Sequence, residues 1–173
     1  HDGQAVGYAE SARLRAEAAD AFAHAYGGYL NTAYPRDETK PLSCGGIDSL
    51  GGAGGYMLTL VDALDGLAMM GNASAFADAA DRVVRKLQPR LDRDVTVSVF
   101  ETTIRLLGGL LSAHAAASDV ADIAAADGRA QGQQKQAYSG ELLELASDLA
   151  SRLLRAFETP TGVPYGAVNL RSG

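Results

Sequence analysis

The sequence predicts an all-α fold assembled from helical hairpins, and three observations carry that prediction. Apolar residues recur at spacings of three and four along most of the chain. No stretch sustains the period-two alternation of a half-buried strand. Segments rich in Gly, Pro, Ala and Gln break the periodic stretches at intervals suited to antiparallel helix pairs.

Taken in order, residues 8–30 place Leu14, Ala18, Phe22, Ala25 and Tyr29 on one side of a helix. "GGIDSLGGAGG" at 45–55 reads as a flexible loop. "MLTLVDALDGLAMM" at 57–70 carries a stripe of Leu60, Val61, Leu64, Leu67 and Ala68, interrupted by Asp62 and Asp65. "SAFADAADRVVRKLQP" takes Ser74 as its N-cap, Phe76, Ala79, Ala80, Val83 and Leu87 as its buried stripe, and Pro89 as its stop. "DVTVSVF" at 94–100 comes nearest to alternation, but it runs directly into a helical pattern and is read as the lead-in to that helix. Residues 115–137 are rich in Ala, Gln and Asp; their first half can extend a helix, and the middle is expected to be a mobile loop. "GELLELASDLASRLLRAF" at 140–157 buries Leu142, Leu145, Leu149 and Leu153, and Pro160, Gly162 and Pro164 end it.

The 173 residues suffice for one ordinary core, and 47% apolar content argues against disorder. A net charge of −6 without a basic patch argues against nucleic acid as a partner. The apolar runs are interrupted well before the roughly 20 residues that a bilayer span needs. The chain opens on "HDGQAV" without Met, so either a targeting segment has been removed or the chain is a fragment. Cys44 is the single cysteine and has no intrachain partner.

"SVFETTIRLLGGLLSAH" at 98–114 holds one Glu and one Arg among apolar, small and hydroxylic neighbours. On a helical wheel with Phe100 at zero, Val97, Ile104, Leu107 and Leu111 fall within roughly 60°. Glu101, Arg105 and Ser112 form a narrow polar seam to one side, with Gly108 beside it permitting close approach of another group. The helix therefore reads as buried nearly all round. Glu101 and Arg105 stand at i and i+4, so they either staple each other or serve a ligand. Elsewhere the sequence is quieter. His1, His24 and His114 show no zinc spacing, and no metal-ligating set is assigned. The Gly-rich loop lacks the Lys-Ser/Thr of a phosphate loop. Asp62 and Asp65 are expected to make structural helix-to-loop hydrogen bonds.

Four blocks then occur in order: "AYPRDETKPLSCGG" (33–46), "LTLVDALDGLAMMGN" (58–72), "VSVFETTIRLLGGLLSAH" (97–114) and "LLRAFETPTGVPYGAVNL" (153–170). Together they resemble the N-terminal part of a class I α-1,2-mannosidase, glycoside hydrolase family 47. "PLSC" and "VSVFETTIR" are similar to its ER degradation-enhancing α-mannosidase-like branch. Gly66 and Arg155 stand where the family usually has Thr and Pro.

The resemblance implies a partial (α/α)7 barrel, with residues 1–173 as the incomplete N-terminal part of one catalytic domain. It implies an inverting hydrolase of terminal α-1,2-mannose on high-mannose N-glycans of misfolded glycoproteins, in the ER lumen or attached to its membrane. Glu101 matches the general-acid candidate and Arg105 the substrate-binding arginine beside it. Ca2+ is implied as a cofactor of the full-length protein, held by a threonine outside this chain. The 173-residue chain itself is expected to be inactive and not to fold stably alone. Asn72 begins an N-glycosylation acceptor, "NAS". Cys44 is implied to pair with a later cysteine, and an ER oxidoreductase or chaperone is an implied partner. The alternatives are a non-catalytic high-mannose binder and an inert helical fragment.

Overall fold

The computed structural model describes residues 7–126 and 139–173. Helices dominate: α1 (Tyr8–Thr32), α2 (Leu58–Asp62), α3 (Leu64–Met69), α4 (Ala73–Leu91), α5 (Val99–Glu101), α6 (Gly108–Ala126) and α7 (Glu141–Leu153). A π-helical stretch, Thr102–Leu107, joins α5 to α6 without a break, and a 3-10 turn, Leu154–Phe157, follows α7. α3 packs against α4 and α6, and α7 against α4 and α6, so the core lies among these helices.

The predicted stripes of three helices are the buried ones. α4 buries Phe76, Ala79, Ala80, Val83 and Leu87, joined by Leu91. α7 buries Leu142, Leu145, Ala146, Leu149 and Leu153. The 57–70 stretch buries the expected residues but divides at Ala63 into α2 and α3. In α1 only the C-terminal half packs: Tyr29 is buried and Phe22, Tyr26 and Leu30 lean on the core, while Leu14, Ala18 and Ala25 are exposed.

Several boundaries differ from expectation. Asn72, not Ser74, caps α4; its Oδ1 accepts the Ala75 N–H at 3.1 Å. Pro89 lies inside α4 rather than stopping it. A proline withholds its own N–H and crowds the preceding turn, but here only the last residues follow it, and fully buried Leu91 holds them to the core. Residues 115–126 continue α6, and the remainder of the expected loop, together with His1, lies outside the described residues.

Two short antiparallel pairs interrupt the all-α pattern. β1 (Glu38–Lys40) pairs with β2 (Gly45–Ile47), and β2 lies inside the stretch that reads as loop. β3 (Thr96–Ser98) pairs with β4 (Ala167–Asn169), so "DVTVSVF" contains a strand rather than only a helix lead-in. Each strand is three residues long, too short to register as alternation.

The Gly-rich segment is ordered from two sides. The fully buried Asp37 carboxylate accepts the N–H groups of Ser49, Leu50, Tyr56 and Leu58. Arg93 donates to the carbonyls of Ala53 and Gly55 at 2.9 and 2.8 Å and lies over the Tyr56 ring. Gly55, at φ +38°, passes so close to Asp37 that a Cβ would stand 2.6 Å from its Oδ1.

Candidate functional site

Ser98 ends β3 and caps the following turn, accepting the Glu101 N–H on Oγ at 3.3 Å. This fixes Glu101 at the first turn of the long helix. Val99 N–H bonds to Gly166 O at 3.0 Å, which ties the same turn to the segment leading into β4.

The next turns wind as a π-helix, with i→i+5 bonds such as Gly108 N–H to Thr103 O. That wider winding displaces the wheel drawn at the α-helical period. Leu106, Leu110, Ala113 and Ala117 face the core, together with Thr102, whereas Phe100 is 67% exposed and Ile104 and Leu111 are exposed as well. The expected stripe around Phe100 is thus corrected in part: Val97 is buried and Leu107 leans on the core, but Phe100, Ile104 and Leu111 are exposed, and the helix is not buried all round. Close approach occurs at Gly109 rather than Gly108. A Cβ on Gly109 would stand 2.9 Å from Val61 Cγ1, against 3.5 Å from the nearest neighbour for Gly108.

Glu101 and Arg105 do not staple each other. Arg105 donates from Nε and Nη2 to Asp62 Oδ2 at 2.9 and 2.7 Å, and from Nη1 to Glu38 Oε1 at 2.9 Å. Among the described residues the Glu101 side chain has no hydrogen-bond or ion-pair partner. Both the π-helical winding and the two cross-chain carboxylates work against the i,i+4 pair. Next to this triad, Ser112 Oγ donates to Asp65 Oδ2 at 3.0 Å. Asp62 and Asp65 therefore bond helix to helix, not helix to loop.

The triad is half-buried, with side-chain exposures of 29% for Arg105, 34% for Asp62 and 38% for Glu38. Burial raises the pKa of Asp62, against the opposing hydrogen bonds from Arg105. For Arg105, burial works to lower the pKa, but the bonds to Glu38 and Asp62 outweigh it and the net shift is upward. The guanidinium is thus a fixed cation with two carboxylates on it.

Sequence reading located Arg105 and Glu101 but missed Glu38, and it placed Asp62 in a different role. The available signal was the block order, because three of the four quoted blocks meet here. Glu38 comes from 33–46, Asp62 from 58–72 and Arg105 from 97–114. The fourth block supplies β4, which pairs with β3 directly before Glu101.

The other singled-out residues stand apart. Cys44 is an exposed free thiol at the turn of the β1–β2 hairpin, at φ +52°. Exposed Asn72 uses only Oδ1 for its cap, and Nδ2 is the atom a glycan takes. Gly66 faces Phe22, whose ring would stand 2.7 Å from a Cβ there. Arg155 donates from Nη1 to Arg171 O at 3.0 Å. Among the described residues no group of three or more His, Cys, Asp or Glu side chains is arranged to hold a metal ion. Within the same limits, no helix is long and apolar enough to cross a membrane. An open hollow of about 650 Å³, lined by Thr96, Arg155, Glu158, Tyr165 and Asn169 among others, lies beside β3–β4 and does not include Glu101 or Arg105.

Residues 21–173 match the sequence model of glycosyl hydrolase family 47. The chain is 49% identical over 164 residues to alpha-mannosidase I MNS4 of Arabidopsis thaliana, covering 95% of this chain and 24% of that protein. It is 46% identical over 157 residues to ER degradation-enhancing alpha-mannosidase-like protein 2 of Homo sapiens, covering 88% of this chain and 24% of that protein. Among solved structures, alpha-1,2-mannosidase from Trichoderma reesei superposes with a TM-score of 0.74 at 30% identity, over 92% of this chain and 31% of that one. The chain spans about a quarter of the length of these curated relatives. Its helices are those of a partial (α/α)7 barrel, as the resemblance implies.

Proposed function

The chain belongs to glycosyl hydrolase family 47, and on that premise we propose that it is the N-terminal part of the catalytic domain of an α-1,2-mannosidase. In this reading the parent protein acts on high-mannose N-glycans in the ER, and the likeness to ER degradation-enhancing alpha-mannosidase-like proteins supports it. One observation carries the reading. Three recognised blocks converge on Arg105, one turn from a Glu101 carboxylate left without a partner among the described residues.

Hydrolysis with inversion needs a carboxylic acid that protonates the leaving oxygen and a second carboxylate that activates water on the opposite face of the sugar. Glu101 is assigned the first role: its carboxyl gives a proton to the glycosidic oxygen. Arg105 is assigned substrate contact. Three of its five N–H groups are taken by Glu38 and Asp62, and two remain for hydroxyl groups of a sugar. The base carboxylate is assigned to the part of the parent outside these residues. Calcium is assigned there too, with its threonine ligand. Glycosylation at Asn72 and a disulfide from Cys44 belong to the same secretory reading, as do misfolded glycoproteins and an ER oxidoreductase or chaperone as partners.

The experiment is to incubate the full-length parent with a high-mannose glycan bearing α-1,2-linked termini and follow the anomeric protons by NMR. The reading expects mannose that appears first as the β anomer. Release of the α anomer would overturn inversion, and absence of release would leave the family without this activity here.

A further inference from the structure

Arg105 is held from two elements that are remote in sequence and independent of its own helix. β1 reaches it with Glu38 and α2 with Asp62. Two carboxylates against one guanidinium leave the triad net negative, so Arg105 is no longer an attractive site for an anion. Its two remaining N–H groups suit a neutral, hydroxyl-rich ligand, because they donate hydrogen bonds without unbalanced positive charge. The same engagement keeps the guanidinium away from Glu101, which stands four residues before it and has no partner among the described residues. Without the two carboxylates nothing among the described residues holds the guanidinium in place, and the carboxylate of Glu101 on the same helix is left to attract it.

We propose that Glu38 and Asp62 are positioning residues for this site: they lock Arg105 in its sugar-binding orientation and hold it off the Glu101 carboxylate. This rests on the mannosidase reading above, and Glu38 and Asp62 act only through Arg105. Lys is not an adequate replacement at 105, since the clamp uses the planar fork of three separate nitrogens.

The test is a double-mutant cycle on kcat/KM in the full-length parent, with α-1,2-linked mannobiose as substrate. Asp62→Asn and Glu38→Gln are each expected to lower kcat/KM by about tenfold, with part of the loss in kcat because Glu101 is drawn into an ion pair. In an Arg105→Met background the same changes are expected to cost nothing further. Additive losses would show that Glu38 and Asp62 act on the fold rather than through Arg105, and would overturn the proposal. Should Asp62→Asn fail to fold, Glu38→Gln, on a half-exposed strand, completes the cycle alone. An inactive wild-type parent would count against the mannosidase reading, and the clamp is then decided by NMR in the same protein. Exchange of the Arg105 Nε–H with solvent is expected to be about tenfold faster in Asp62→Asn than in the wild type; equal exchange would overturn the clamp.

Discussion

Asp37 and Asp62 are both carboxylates held by the fold, yet they serve different purposes. Asp37 is fully buried, and its two oxygens accept four backbone N–H groups, three from the loop ahead of α2 and one from its first residue, Leu58. Asp37→Ala leaves the Leu50, Tyr56 and Leu58 donors buried and unpaired, which is expected to cost about 3–5 kcal/mol of unfolding free energy. Chemical denaturation of the parent measures it, and a loss below about 1 kcal/mol would mean that water replaces the carboxylate. Asp62 has its pKa raised by burial, so the folded state takes up a proton there at higher pH than the unfolded chain does. Its contribution to stability is fully present below the unfolded pKa and is lost as pH rises through the folded value. Asp62→Asn is expected to flatten that part of the pH–stability curve; an unchanged curve would contradict the assigned burial. Glu101 and Arg105 were legible in the sequence as polar groups in an apolar helix. Glu38 and Asp37 were not, because their partners lie far along the chain or in the backbone, where side-chain patterning carries no trace.

At the scale of elements, α4 and α7 were legible down to individual core residues, since a regular α-helix keeps one period over its length. The long helix of 99–126 was not, because its π-helical turn at Thr102–Leu107 shifts the register midway. The strands were missed because three residues cannot show a period. Where elements touch closely, substitution reports on the contact. Gly109→Ala puts a methyl 2.9 Å from Val61 Cγ1 and is expected to cost about 1–3 kcal/mol as α2 and α6 are forced apart. A neutral outcome in denaturation would show that this helix contact yields. Asn72→Ala removes the α4 cap and is expected to cost about 1 kcal/mol. The same variant is expected to abolish a mass shift on enzymatic deglycosylation of the parent; a persisting shift would place the glycan elsewhere.

For the whole molecule, the informative surface is apolar. Phe100, Ile104, Leu154 and Phe157 are 67, 53, 63 and 48% exposed, a pattern that a complete core does not leave. The sequence pattern marked Phe100 and Ile104 as buried, and in a barrel several times longer than this chain further helices would cover all four. Expressed alone, the 173-residue chain is therefore expected to bind a hydrophobic dye and to unfold without a sharp transition. A cooperative transition with no dye binding would show that these faces are satisfied within the chain. The mannosidase reading itself turns on Glu101 as the acid. The most direct measurement compares mannose release from an α-1,2-linked substrate by the wild-type parent and by Glu101→Gln, with circular dichroism confirming that both are folded. The account predicts a fall in kcat of about 100-fold or more with the fold unchanged. Wild-type turnover in Glu101→Gln would contradict it.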